Sequence, residues 1–213
     1  MRKWMFVLGL TLALPPASAH AQTMAWDAPS FMSPVLHNDL GIYFLKPQDT
    51  DWGVAATWAS GEPHGLNLGV RGQIVQITSG LTQWGIGADA QGGIGPVAPP
   101  LLIDWTLGVG AMSGAGVTVL RVPVGLSLGA RLVSPGLTVI PYVHPRVSFA
   151  YFSFDQPEVG DFGPSGSTSE VEFDPDLGVD LDLGSPIIVR VGGTIGDMPA
   201  FGAGLAIKLG RRH

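Results

Sequence analysis

The sequence predicts an all-β fold: a single closed, antiparallel, up-and-down barrel of about ten strands that spans a membrane, with eight strands as the alternative count. Three observations carry this. Beyond residue 38, apolar and polar residues alternate with period two, in segments separated by Gly, Pro, Asn, Asp and Ser. The chain is greasy for a soluble protein, with 13% charged residues and a mean hydropathy of +0.32. Yet no apolar run after residue 21 reaches the length of a spanning helix. Finally, the polar face of the alternating segments carries glycine and charge rather than the mixed polar residues of a water-washed surface.

The elements follow in order. Arg2 and Lys3 precede an apolar core, Trp4 to Leu14, and a small-x-small site at Ala19-His20-Ala21. This is the anatomy of a signal peptide over residues 1–21, with cleavage expected after Ala21. An uncleaved anchor is the alternative, disfavoured because the core is too short to span. Residues 22–38 lack periodicity and read as an irregular N-terminal lead. The barrel is assigned to 39–209, with strands at 39–46, 52–60, 65–76, 83–92, 101–112, 116–133, 137–154, 169–183, 186–195 and 200–209. Residues 210–213 are a tail. Pro141, Pro145 and Pro175 lack ladder donors and mark either bulges or strand ends.

Sorting each strand by face gives one consistent answer. In 101–112, Ile103, Trp105, Leu107, Val109 and Ala111 oppose Asp104, Thr106, Gly108 and Gly110. In 65–76, Leu66, Leu68, Val70 and Ile74 oppose Asn67, Gly69, Arg71 and Gln73. A soluble barrel turns its oily face inward, whereas an outer-membrane barrel turns it to lipid. A lumen crowded with long charged side chains needs glycines opposite them, so the charged face is assigned to the inside. A soluble periplasmic lipid-carrying barrel, with the oily face inward, is the minority alternative. Trp52, Trp58, Trp84 and Trp105 fall on the apolar face near strand ends, as interfacial aromatics do.

The segment VEFDPDLGVDLDL (171–183) is the sharpest case. Glu172, Asp174, Asp176, Asp180 and Asp182 share one face, while Val171, Phe173, Leu177, Val179, Leu181 and Leu183 share the other. Such an acid row requires facing bases, and Arg146 and Arg190 lie on the flanking strands of a meander. Over the whole chain the inward set is Arg71, Arg121, Arg131, Arg146, Arg190 and Lys208 against Asp89, Asp104, Glu172, Asp174, Asp176, Asp180 and Asp182. This near balance implies a paired lumen, since unpaired buried charge is costly.

Several chemistries are excluded or disfavoured. There is no cysteine, which removes disulfides, thiolate metal sites and cysteine nucleophiles. Without Arg2 and Lys3, nine basic residues face 17 acidic ones, a net charge of −8; nucleic acid binding needs the opposite sign. His144 and Ser148 share a face but stand roughly 13 Å apart along one strand, too far for a nucleophile–base pair. No catalytic residue, metal ligand or cofactor is therefore assigned, and an enzyme is not expected. The Asp174–Asp182 acids are spaced too widely along an extended strand for calcium and read as salt-bridge partners. His37, His64 and His213 fall in loops or tails and read as solvated.

With these features the chain resembles the small bacterial outer-membrane β-barrels, the broad OmpA/OmpW-like porin-type class. The last strand resembles the family's insertion signal at Gly204, Ile207 and Leu209, although Gly202 stands where a polar residue is usual. The resemblance implies Gram-negative outer-membrane localisation, contact with membrane lipid and lipopolysaccharide, and recognition by the barrel-insertion machinery. Two functions stay open at this point. One is a narrow channel passing small solutes or ions through the charged, glycine-rich lumen. The other is a closed structural or surface-interaction barrel.

Overall fold

The computed structural model describes residues 25–35, 37–61, 65–77, 80–95, 97–154, 166–196 and 198–210. The signal peptide, His64, His213 and most of the connection expected at 155–168 lie outside the described residues. Thirteen hydrogen-bonded segments occur: β1 (Asp39–Pro47), β2 (Thr50–Ser60), β3 (Leu66–Ile77), β4 (Thr82–Gly93), β5 (Leu101–Gly114), β6 (Val117–Ala130), β7 (Leu132–Ser134), β8 (Leu137–His144), β9 (Arg146–Phe154), β10 (Gly166–Phe173), β11 (Asp176–Asp182), β12 (Ile187–Thr194) and β13 (Ala200–Lys208). Among the described residues there is no helix.

These segments form ten barrel strands. β7 continues β6 past Arg131 in the same register, with Gly129 opposite Tyr142 and Leu132 opposite Val139 on β8. β8 and β9 are halves of one strand interrupted at Pro145, and β10 and β11 are halves of another interrupted at Asp174-Pro175. Phe173 pairs with Val147 on one side of that second break, and Asp176 with His144 on the other. Both strands therefore advance by three residues, and no bulge forms. The prolines open gaps in the ladder without shifting the register. Pro141 stays within β8, opposite Val179. β10 also starts three residues before its expected limit, because Gly166, Ser167 and Thr168 pair with Phe154, Ser153 and Phe152.

The sheet closes where β1 meets β13, with Asp39 opposite Lys208 at one rim and Pro47 opposite Ala200 at the other. We call these the terminal rim and the far rim. Following the registers once around the barrel gives a shear of about 12 residues, which tilts the strands by roughly 40°. Ten strands enclose more space than side chains alone readily fill. The far rim has tight hairpins at Gln48-Asp49 and at Ala115-Gly116, the latter with positive φ at both residues (56° and 77°), as a two-residue hairpin requires.

Polarity is that of a membrane barrel. Outward apolar side chains are bare around the circumference, with Ile42 64% and Val171 72% exposed, while the intervening Asp39, Tyr43, Glu172 and Asp174 are buried. This is opposite to the soluble lipid carrier. Trp52 and Trp84 lie toward the far rim, Trp58 and Trp105 toward the terminal rim, and all four are exposed. They form two aromatic belts flanking an apolar band.

Candidate functional site

The lumen is layered. Toward the far rim the inward face is apolar, with Val75, Met112, Val117, Val119, Ala150 and Phe152 forming one buried cluster. The sequence reading had made the inward face uniformly glycine and charge. That pattern holds for the middle of the barrel and gives way near this rim.

Beneath the apolar layer the charges converge from several strands. The Arg121 guanidinium on β6 meets Glu172 at 2.9 Å and also bonds Asp174. Arg146 on β9 reaches Asp176 at 3.0 Å through Nε, and the same nitrogen donates to the Asp174 carbonyl at 3.1 Å. Asp176 additionally accepts from Thr194 Oγ1 at 2.5 Å. Nearer the terminal rim, Arg190 donates to Asp180 (3.2 Å), Asp39 (2.6 Å) and the Tyr43 hydroxyl (3.0 Å). Lys208 meets Asp182 at 2.7 Å. Asp104 accepts from Gln91 at 2.9 Å, and Asp89 and Arg71 line a common cavity of about 70 Å³.

Arg131 stands apart. It is exposed at the terminal rim, in the one-residue break between β6 and β7, where the wall continues but the lumen has opened to solvent. Asp39 takes the opposite course. It was not among the expected lumen acids, yet it is buried and paired with Arg190.

The lead supplies what the wall alone does not show. Read from the sequence only as irregular, residues 25–35 run through the lumen. Gln91 Nε2 donates to the Ser33 carbonyl at 2.8 Å toward the terminal rim. Phe31 stacks on Tyr43 with ring centroids 4.3 Å apart, and Arg71 donates to the Pro29 carbonyl. Asp27 bonds Arg146 and lies 3.5 Å from Arg121. Gln73 donates to the Ala25 carbonyl at 3.1 Å, and Ala25 and Ala28 cluster with Ala200 at the far rim. The segment thus traverses the barrel from one rim to the other.

Its aromatic rings explain many inward glycines. A Cβ on Gly87 would stand 2.1 Å from the Trp26 ring, and one on Gly110 2.6 Å from it; Gly108 borders the same ring. A Cβ on Gly202 would meet the Phe31 ring at 2.6 Å. Other glycines do make room for charged wall residues, as expected: Gly69 for Asp89, and Gly125 for His144 and Arg146. The signal available in the sequence was the excess of inward glycines, which called for an aromatic complement that the charged residues could not supply.

Two further points correct the histidine reading. His37 is half-buried at the cavity near the terminal rim, not solvated, and its pKa is held down to about 4 by burial and by the nearby Arg190 charge. His144 is buried in the lumen, with Nε2 2.8 Å from Thr106 Oγ1 and Nδ1 3.1 Å from Asp176. That connectivity matches a hydroxyl–base–acid relay. However, Ser30 of the lead also bonds Asp176 at 2.6 Å, and the adjoining cavity is about 20 Å³, room for a water and not for an acyl substrate.

At the seam, a Cβ on Gly204 would fall 2.1 Å from the Ile42 carbonyl oxygen. Glycine there permits the close approach of β13 to β1. Ile207 and Leu209 present exposed apolar side chains.

No protein-family model and no curated relative matches this sequence. Solved structures similar to it include the KdgM porin (10% identity, TM-score 0.43, 81% of this chain and 99% of that one). They also include the β-domain of the Bordetella autotransporter BrkA (13%, 0.49, 82% and 100%). A third is Ail, the attachment invasion locus protein of Yersinia pestis (10%, 0.27, 81% and 98%).

Proposed function

We propose that this chain is an outer-membrane β-barrel whose lumen is sealed at rest by its own N-terminal segment, a non-enzymatic closed barrel rather than an open porin. The observation that carries this reading is the fit of Trp26 into the glycine stripe of Gly87, Gly108 and Gly110. A wall that merely had to pass solute would gain nothing from a recess shaped to one indole. Asp27, between Arg121 and Arg146, adds an electrostatic anchor to this steric one.

The exposed apolar band and its two tryptophan belts support residence in the outer membrane, where lipid and lipopolysaccharide surround the barrel. The insertion machinery is the expected assembly partner, through the last strand at Gly204, Ile207 and Leu209. Membership of the OmpA/OmpW-like class rests on the sequence resemblance. The test is a planar bilayer recording of the purified full-length protein, together with its fractionation. A sealed barrel fractionates with outer membranes, resists alkaline extraction and carries no steady current. A steady current in every insertion contradicts the seal, and recovery as a soluble periplasmic protein contradicts the membrane reading.

A further inference from the structure

We infer that the sealed barrel is a latent cation path and that residues 25–35 are its gate. This rests on the membrane-barrel reading above and goes beyond it, because a seal can be either a permanent core or a removable plug. The ion pairs distinguish the two. If the segment leaves, Arg121 keeps Glu172 and Asp174, Arg146 keeps Asp176, and Arg190 keeps Asp39 and Asp180. His144 keeps Thr106 and Asp176. The segment's hydrogen bonds from Arg71, Gln73 and Gln91 are single contacts to its backbone carbonyls, which water in an opened lumen replaces. Losing a partner from a buried pair is severe only when the remaining charge is stranded. Here Arg121, Arg146 and Arg190 each keep at least one wall acid, and Arg71, which gives up the Pro29 carbonyl, faces the water of the opened lumen beside Asp89.

The same accounting sets the selectivity. With Asp39 inside and Arg131 exposed at the rim, the seven expected acids become eight and the six expected bases five, and Glu170, on the Glu172 face opposite buried Ala150, adds a further acid among the described residues. The segment's Asp27 leaves with the gate. An opened wall with this excess of negative charge favours cations, since selectivity follows the sign of the lining charge. Withdrawal of the Trp26 ring exposes Gly87, Gly108 and Gly110 on β4 and β5, and withdrawal of the Phe31 ring exposes Gly202 on β13, which clears lumen space for a small hydrated ion.

The experiment uses the full-length chain carrying Trp26→Ala and Asp27→Ala, with deletion of residues 22–35 as a second variant, each checked for the boiled-versus-unboiled gel shift of a folded barrel. Single-channel currents are recorded under a tenfold potassium chloride gradient beside the unaltered protein. The expected result is a silent unaltered protein and conducting variants, with a reversal potential reporting several-fold preference for potassium over chloride. Folded variants that both stay silent overturn the path while leaving the seal intact. Anion preference or no preference overturns the cation assignment. An unaltered protein that conducts as the variants do overturns the gate and the seal together.

Discussion

Trp26 and Gly87 are complementary across the lumen: the indole occupies the space that any side chain at position 87 would need, with only 2.1 Å left to a Cβ. One residue lies in an irregular segment and the other on a barrel strand, and the fit between them fixes where the segment sits.

A valine at Gly87 therefore displaces the indole. Gly87→Val is expected to destabilise the barrel by about 1–3 kcal/mol, as overpacking does. Trp26→Ala in the same chain vacates the space and recovers most of that loss. Urea unfolding in detergent measures the four corners of this cycle; simple additivity of the two changes contradicts the contact.

Ion pairing in the lumen predicts a sharp contrast between arginines. Arg190→Met strands Asp39 and Asp180 and is expected to cost about 3–5 kcal/mol. Arg131→Met, at an exposed position on the terminal rim, is expected to lie within about 0.5 kcal/mol of the parent. Comparable losses at both sites by the same unfolding measurement refute the assignment of buried and exposed arginines.

The outer face is tested by charge. Leu107 is exposed between the tryptophan belts, so Leu107→Arg places a cation in hydrocarbon at a cost of about 2–4 kcal/mol if at mid-depth. Folding yield into lipid vesicles is expected to drop for this variant. Unimpaired folding indicates that Leu107 does not face lipid.

What the sequence made legible was the wall. Period-two alternation located all ten strands, and the parity of Glu172, Asp174, Asp176, Asp180 and Asp182 named the acid face, because a strand admits only two directions for its side chains. Residues 25–35 were illegible for the complementary reason. An irregular segment has no period, so nothing in Trp26 or Phe31 says which surface they meet. Asp39 opens the expected strand 39–46 but was left out of the inward acids, because a single charge at a strand's first position does not show whether the wall has begun there. Parity did not suffice at Arg131, because it gives a direction and not a depth: at the rim an inward position is open to solvent. Pro145 and Pro175 were ambiguous because a missing donor is equally consistent with a bulge, an end or a gap, and only the register on both sides identifies a gap.

His37 gives a pH dependence. Its folded pKa of about 4 lies below its unfolded value of 6.5, so between these values the unfolded chain binds more protons and stability falls as pH drops. Above 6.5 the residue contributes no slope. His37→Gln is expected to flatten that part of the stability–pH curve, measured by denaturant midpoints from pH 7 to 4. An unchanged slope across that window contradicts the buried, neutral histidine.

The threading of residues 25–35 is tested most directly by a single cross-link. Ala28 and Ala200 cluster at the far rim, and the chain contains no cysteine of its own, so Ala28→Cys with Ala200→Cys creates one defined pair. In the folded, outer-membrane-assembled protein under mild oxidation, the pair is expected to form a disulfide nearly quantitatively, seen as a reduction-sensitive mobility change after denaturation. A folded barrel in which both thiols stay free and react with a water-soluble maleimide would show that the segment lies outside the lumen.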